Sequence, residues 1–292
     1  IHFFLRRMKK EKHLKSVISM NKISVYGATG FIGGTFCNLF PEEVIKIPKH
    51  QRNPESKDIL YLISTTTNHN MLTNLTIDVD TNLRVLLETL EHCKDNQLTF
   101  NYVSTGFVYG ADIIDAKESD VANPRGFYSI TKRTAEQLII SFCEVNEVNY
   151  RIMRLANVSG QDKTVSSQKN VLGFLVSLMR DNKELTLYNN GDDLRDYMHV
   201  TDVCRAIKIV MDKGEVNTIY NIASGLPLPF RNILETIRER IKSQSKFTSV
   251  EIPRFNRLSQ PKNFSLNTDK LKSLGFEPKL SLKDIVEGLC IN

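Results

Sequence analysis

The sequence has no Cys-x-x-Cys, no histidines at a metal-binding spacing such as His-x-x-x-His, and no run of roughly 18 apolar residues. Its cysteines, Cys37, Cys93, Cys143, Cys204 and Cys290, lie far apart and fall mostly in segments that read as helices. That spacing excludes a disulfide framework and predicts free core thiols in a reducing compartment, hence a cytoplasmic protein. No metal site and no membrane span are expected.

Net charge is also scarce outside one segment. The chain carries +6, but residues 1–20 hold Arg6, Arg7, Lys9, Lys10, Lys12 and Lys15 against Glu11, so the remainder is nearly neutral. A neutral body argues against nucleic-acid binding, and residues 1–20 read as a basic, disordered leader. The leader lacks the order of a signal peptide, because its apolar residues 1–5 precede the basic cluster. Residues 1–19, ahead of Met20, therefore read as an extension or an artefact of start assignment, outside the expected fold.

What is present is an alternation. With 41% hydrophobic and 25% charged residues over 292 positions, the chain is globular and long enough for one dominant domain with appendages. Short β-branched runs at 22–26, 43–47, 58–63, 99–103, 149–155 and 218–222 read as strands. Between them, residues 77–93 place Val79, Leu83, Leu86, Leu87 and Leu90 at helical spacing. Residues 127–145 do the same with Ile130, Leu138, Ile139, Phe142 and Val145. The pattern predicts an α/β fold, a doubly wound parallel sheet with helices on both faces, followed after about residue 160 by a smaller, less regular lobe.

Gly27, Gly30 and Gly33, with Phe31 and Ile32 between them, follow the first strand and open a helix. Glycine at those positions allows a tight turn and brings backbone N–H groups to an anion at a helix N-terminus. An ordinary strand-to-helix turn can use the same residues, but the agreement of strand, spacing and helix favours a dinucleotide pyrophosphate. Tyr128 and Lys132, four apart, project from one helical face. An adjacent ammonium would make a phenol a better acid/base, although a solvated surface pair has the same spacing.

These features recur in a known order. The glycine spacing, the segment Tyr102-Val103-Ser104-Thr105-Gly106-Phe107-Val108-Tyr109-Gly110, and Tyr128 with Lys132 together resemble the extended short-chain dehydrogenase/reductase family, also called the NAD-dependent epimerase/dehydratase family. The resemblance continues through Arg154-Leu155-Ala156-Asn157, Arg195-Asp196-Tyr197-Met198-His199, Tyr220-Asn221-Ile222 and Leu274-Gly275-Phe276, and so spans nearly all of 22–290. It implies a Rossmann-type dinucleotide-binding domain over 21–160, to which 200–223 return, and a smaller substrate-binding lobe from 161–199 and 224–292. It also implies catalytic Thr105, Tyr128 and Lys132. Tyr128 would exchange a proton with a sugar oxygen, Thr105 would polarise that oxygen, and Lys132 would hold the cofactor ribose and depress the tyrosine pKa. On the substrate side, Asn157 and Arg195 would face a nucleoside-diphosphate sugar, while Asp196 and His199 read as structural. A homodimer through the helices of 77–93 and 127–145 is implied by the same analogy.

Four departures qualify the match. Residues 43–47 and 58–63 lie too close together for the usual edge strand and helix, which read as deleted. Where an acidic residue commonly holds the adenosine ribose, Lys49 and Arg52 stand instead, favouring NADP(H) over NAD. Gly106 and Phe107 occupy positions where sugar 4,6-dehydratases of the family carry acids. Finally, Ser64, Thr65 and Asp78 stand where the family often has Ala-Ala and Asn near the cofactor. The expected activity is therefore an NAD(P)-dependent epimerase or ketoreductase, with a non-catalytic NAD(P)-binding sensor of the same fold as the alternative.

Overall fold

The computed structural model describes residues 22–95, 97–160 and 171–290; the leader expected at 1–20 and part of the lobe expected at 161–199 lie outside them. Six parallel strands form the central sheet: β1 (Ile23–Tyr26), β2 (Val44–Lys46), β3 (Asp58–Tyr61), β4 (Thr99–Thr105), β5 (Asn149–Leu155) and β6 (Thr218–Ile222). Their order is β2-β1-β3-β4-β5-β6, each neighbour parallel. The order reverses at β1, so the carboxyl ends of β1 and β3 flank the crevice where open α/β sheets bind ligands. β2 is the edge strand, and residues 47–57 cross to β3 with no further strand or helix.

Alternation along each strand sends side chains to two separate apolar layers. On one face Val25, Leu60, Val103, Met153 and Ile222 pack against α1 (Phe31–Leu39) and the helix Val200–Lys213. On the other, Ile59, Tyr61, Phe100, Tyr102 and Ile152 meet Leu86, Leu90, Ala135, Ile139 and Cys143. The latter belong to α2, a continuous turn sequence through Ile77–Val79, Asp80–Arg84 and Val85–Leu90, and to α3 (Phe127–Asn146). Asp80–Arg84 has π-helical register, and Val79 and Leu87, expected inside, are 44% and 45% exposed. The wider turn rotates the following residues relative to a 3.6-residue period, which a periodic reading assumes throughout. Ile130 and Val145 are likewise exposed, and the inner face of α3 carries Ala135, Ile139 and Cys143 with Lys132 and Glu136.

Residues 200–222 return to the sheet as helix and β6. A separate core joins Val171–Arg180, Phe230–Ile241 and Leu282–Cys290 with the paired strands Leu185–Tyr188 and Phe247–Val250. Between this lobe and the sheet lies a small second sheet, in which Phe264–Leu266 pairs with Ile113–Ala116 and Leu194–Arg195. All five cysteines are free thiols. No described helix is long and apolar enough to cross a membrane, and no cluster of metal ligands occurs among the described residues.

Candidate active site

The turn after β1 is shaped by missing side chains. Gly27 has φ +81°, and a Cβ on Gly33 would sit 2.2 Å from the Gly27 carbonyl oxygen, so α1 packs onto the turn only with glycine there. α1 begins at Gly30 with no side chain accepting from its first N–H groups. Those amides, followed by Phe31 and Ile32, point an anion-binding helix end into the crevice. The cradle fits a dinucleotide pyrophosphate.

At the carboxyl end of β4, the Thr105 hydroxyl accepts from the Phe107 N–H at 3.2 Å and bears on the Tyr128 phenol at the start of α3. Burial pushes that phenol up to about 12, against the lowering effect of the Thr105 side chain. Lys132, 2% exposed, donates to the Val103 carbonyl at 2.6 Å and lies 4.1 Å from the Tyr102 ring centroid. Burial lowers its pKa to about 7, against the attraction of Glu136.

Behind the site runs a buried charge network. Glu136 accepts from Arg154 Nη2 at 2.8 Å, from Arg133 Nη1 at 2.9 Å and from the Ser104 hydroxyl. Arg154 stacks 4.7 Å from the Tyr109 ring, whose hydroxyl donates to Asn221 at 2.8 Å. This pairing explains why the β4 end, α3 and the ends of β5 and β6 hold fixed positions: either charge left alone in the core would be strongly unfavourable.

Ser64 and Thr65 follow β3 into the same crevice. Asn82, 1% exposed in the π-register turn, accepts from the Thr65 N–H at 2.8 Å and the Ser64 hydroxyl at 3.0 Å. The asparagine serving Ser64–Thr65 is therefore Asn82, one turn beyond Asp78; its only sequence signal was a polar residue inside an apolar helical face. Of the adenosine-side candidates, Lys49 is exposed, whereas the Arg52 guanidinium bonds Glu88 at 3.0 Å and the Lys49 carbonyl at 2.9 Å.

The substrate-side candidates are held by backbone. Asn157 Nδ2 donates to the Asp196 carbonyl at 3.0 Å, and Arg195 Nη1 donates to the carbonyls of Leu194 at 2.7 Å and Lys262 at 2.5 Å. Arg195 pairs with Phe264, which packs on Gly106 just beyond Thr105. Asp196 accepts from Ser224 and Gly225 N–H groups at 3.1 and 3.0 Å, and His199 Nδ1 caps its helix by accepting from Thr201 at 3.2 Å. Thr105, Tyr128, Lys132, Ser64, Thr65 and the glycine turn all lie at the carboxyl end of the sheet; Lys49 and Arg52 sit at its β2 edge.

A model of the NAD dependent epimerase/dehydratase family matches residues 55–223. The low-salt glycan biosynthesis protein Agl12 of Haloferax volcanii is 29% identical over 218 residues, 73% of this chain and 67% of that protein. Human dTDP-D-glucose 4,6-dehydratase is 26% identical over 189 residues, 63% of this chain; the match spans only 53% of the human protein. The crystal structure of UDP-glucose 4-epimerase from Thermotoga maritima with UDP-glucose superposes with a TM-score of 0.79 at 23% identity, covering 91% of this chain and 97% of that one.

Proposed function

Since the chain belongs to the NAD-dependent epimerase/dehydratase family, we propose that it is an NAD(P)-dependent epimerase or ketoreductase acting on a nucleoside-diphosphate sugar. The observation that carries this reading is the 2.6 Å Lys132–Val103 hydrogen bond, which seats the Tyr128 helix against the end of β4 that bears Thr105, at the same end of the sheet as the glycine cradle. Gly27, Gly30, Phe31, Ile32 and Gly33 would hold the pyrophosphate, Ser64, Thr65 and Lys132 the nicotinamide-ribose half, and Lys49 with Arg52 the adenosine end. The basic pair leans the cofactor choice to NADP(H).

The cofactor supplies hydride chemistry; the protein supplies the proton and the geometry. In reduction the carbonyl carbon gains a hydride, its oxygen gains the Tyr128 proton as the C=O π bond breaks, and solvent reprotonates the phenolate; oxidation reverses each transfer. Thr105 would donate to the same oxygen. Lys132 would reach a ribose hydroxyl by leaving the Val103 carbonyl it now meets. Arg195, a planar and permanently charged fork, would take the diphosphate, with Asn157 next to it.

The resemblance implies acids where Gly106 and Phe107 stand in a 4,6-dehydratase, and the packing there opposes them. A Cβ on Gly106 would lie 2.8 Å from Phe264 Cε2 and 2.9 Å from Leu266 Cδ1, and Phe107 is committed to an edge contact with Phe264 at 4.8 Å. The reading is tested with Tyr128→Phe. The variant should keep the thermal shift given by NAD(P)+ and UDP-, dTDP-, GDP- or CDP-sugars, while turnover falls about 10²-fold or more. Wild-type turnover in that variant would overturn the proposal. Stoichiometric NADPH oxidation with a 4-keto sugar nucleotide selects reductase; interconversion of two sugar nucleotides without net oxidation selects epimerase.

A further inference from the structure

The chain beyond β3 reaches across to the lobe. Thr67 is extended, accepts from the His69 N–H at 3.1 Å and starts a single 3-10 turn, Asn68–Leu72, that packs on α3. Asn68 is fully buried. Its Nδ2 donates to the Ser259 carbonyl at 2.7 Å, 191 positions away in the chain, and the His69 ring lies 4.9 Å from that of Phe255 on the same short helix, Arg254–Ser259. The amide oxygen of Asn68 has no hydrogen-bond partner among the described residues and lies against Gly126, where any Cβ would collide with it. Asn68 is thus wedged between the lobe and the residue that opens the Tyr128 helix. Burying an unpaired amide oxygen is unfavourable, so stability alone does not account for an asparagine there.

What Asn68 fixes on the lobe side lies close to Arg195. Ser259 ends its helix, and only Gln260 and Pro261 separate it from Lys262, whose carbonyl accepts from Arg195 Nη1 at 2.5 Å. Both spacers are stiff. Proline has a fixed φ and confines the residue before it to extended backbone, and Gln260 is extended at φ −113° and ψ 145°. The Lys262 N–H is engaged as well, donating to the Ala111 carbonyl at 2.6 Å. A short run of restrained backbone therefore joins the Asn68 amide to the guanidinium.

We infer that Asn68 is a positioning residue that sets the Arg195 guanidinium relative to the Tyr128 helix, and so governs binding of the substrate's diphosphate and not of the dinucleotide. The inference rests on the proposed function and deepens it: the sugar nucleotide is aligned with the phenol through Ser259 and Lys262, without Asn68 touching it.

The test titrates UDP, dTDP, GDP and CDP calorimetrically into the complex with NAD+ or NADP+. The diphosphate that binds the wild type best should bind Asn68→Ala and Asn68→Leu about tenfold more weakly, with cofactor affinity kept within about twofold. Arg195→Ala should weaken it at least as much, and adding Asn68→Ala to that variant should cost little more, because nothing is left to position. Losses that multiply in the double variant overturn the inference. So do wild-type diphosphate affinity in either folded Asn68 variant, an equal loss of cofactor affinity, or failure of both variants to fold, which would make Asn68 a folding residue. A wild type that binds none of the four removes the proposed substrate class and this inference with it; binding that ignores Asn68 removes only the inference.

Discussion

At Lys132, burial and charge act against each other. The ammonium has one carbonyl, one aromatic face and the field of Glu136 to replace its lost water, and burial still brings its pKa from 10.5 to about 7. Between those values the unfolded chain holds a proton that the folded protein does not, so stability rises with pH across the window. Below about 7 both states are protonated and the native state bears the full cost of the buried charge. The slope from this one group is at most about 1.4 kcal/mol per pH unit. Lys132→Met should abolish it: urea midpoints measured from about pH 7 to 9 should rise in the wild type and stay flatter in the variant. Parallel profiles would show that this lysine is not depressed. Tyr128 and Lys132 were legible as a pair from their spacing together with the motif that ends β4, but the direction of the ammonium was not. It depends on β4, whose Val103 carbonyl is 29 positions away in the chain.

Among elements, the six main strands follow their β-branched runs closely, because a strand buried on both faces must be apolar throughout. The second sheet was not legible. Its strands, such as Leu194–Arg195 and Phe264–Leu266, are too short to show alternation, and each is specified by partners far along the chain. The same holds for the π-register turn in α2, which places Asn82 against Ser64 and Thr65. At the β2 edge the basic residues were legible but not their partners. Glu88 on α2 takes the Arg52 guanidinium that a 2′-phosphate would need. Glu88→Ala should therefore raise NADPH affinity relative to NADH, measured by titrating the intrinsic fluorescence of each reduced cofactor. An unchanged ratio would place Arg52 outside the cofactor site.

For the whole molecule, the outer side of α2 and α3 leaves Ile77, Val79, Leu87 and Ile130 between 37% and 45% exposed. Apolar side chains left exposed on these two helices suit burial against a second copy, and we propose that the helices form the contact of a homodimer. Leu87→Lys should shift the protein to a monomer in sedimentation velocity with the fold retained; an unchanged sedimentation coefficient would exclude this face. By itself the sequence determined the parallel α/β architecture and the glycine turn, since hydrophobic period and motif spacing are local properties of the chain, and its resemblance to the family pointed to Thr105, Tyr128 and Lys132. Only the tertiary structure decided that Phe264 closes the space at Gly106, that Glu88 engages Arg52 and that Asn82 meets Ser64 and Thr65. Those contacts join residues remote in sequence, and which side chains meet is set by how the sheet, its helices and the lobe pack.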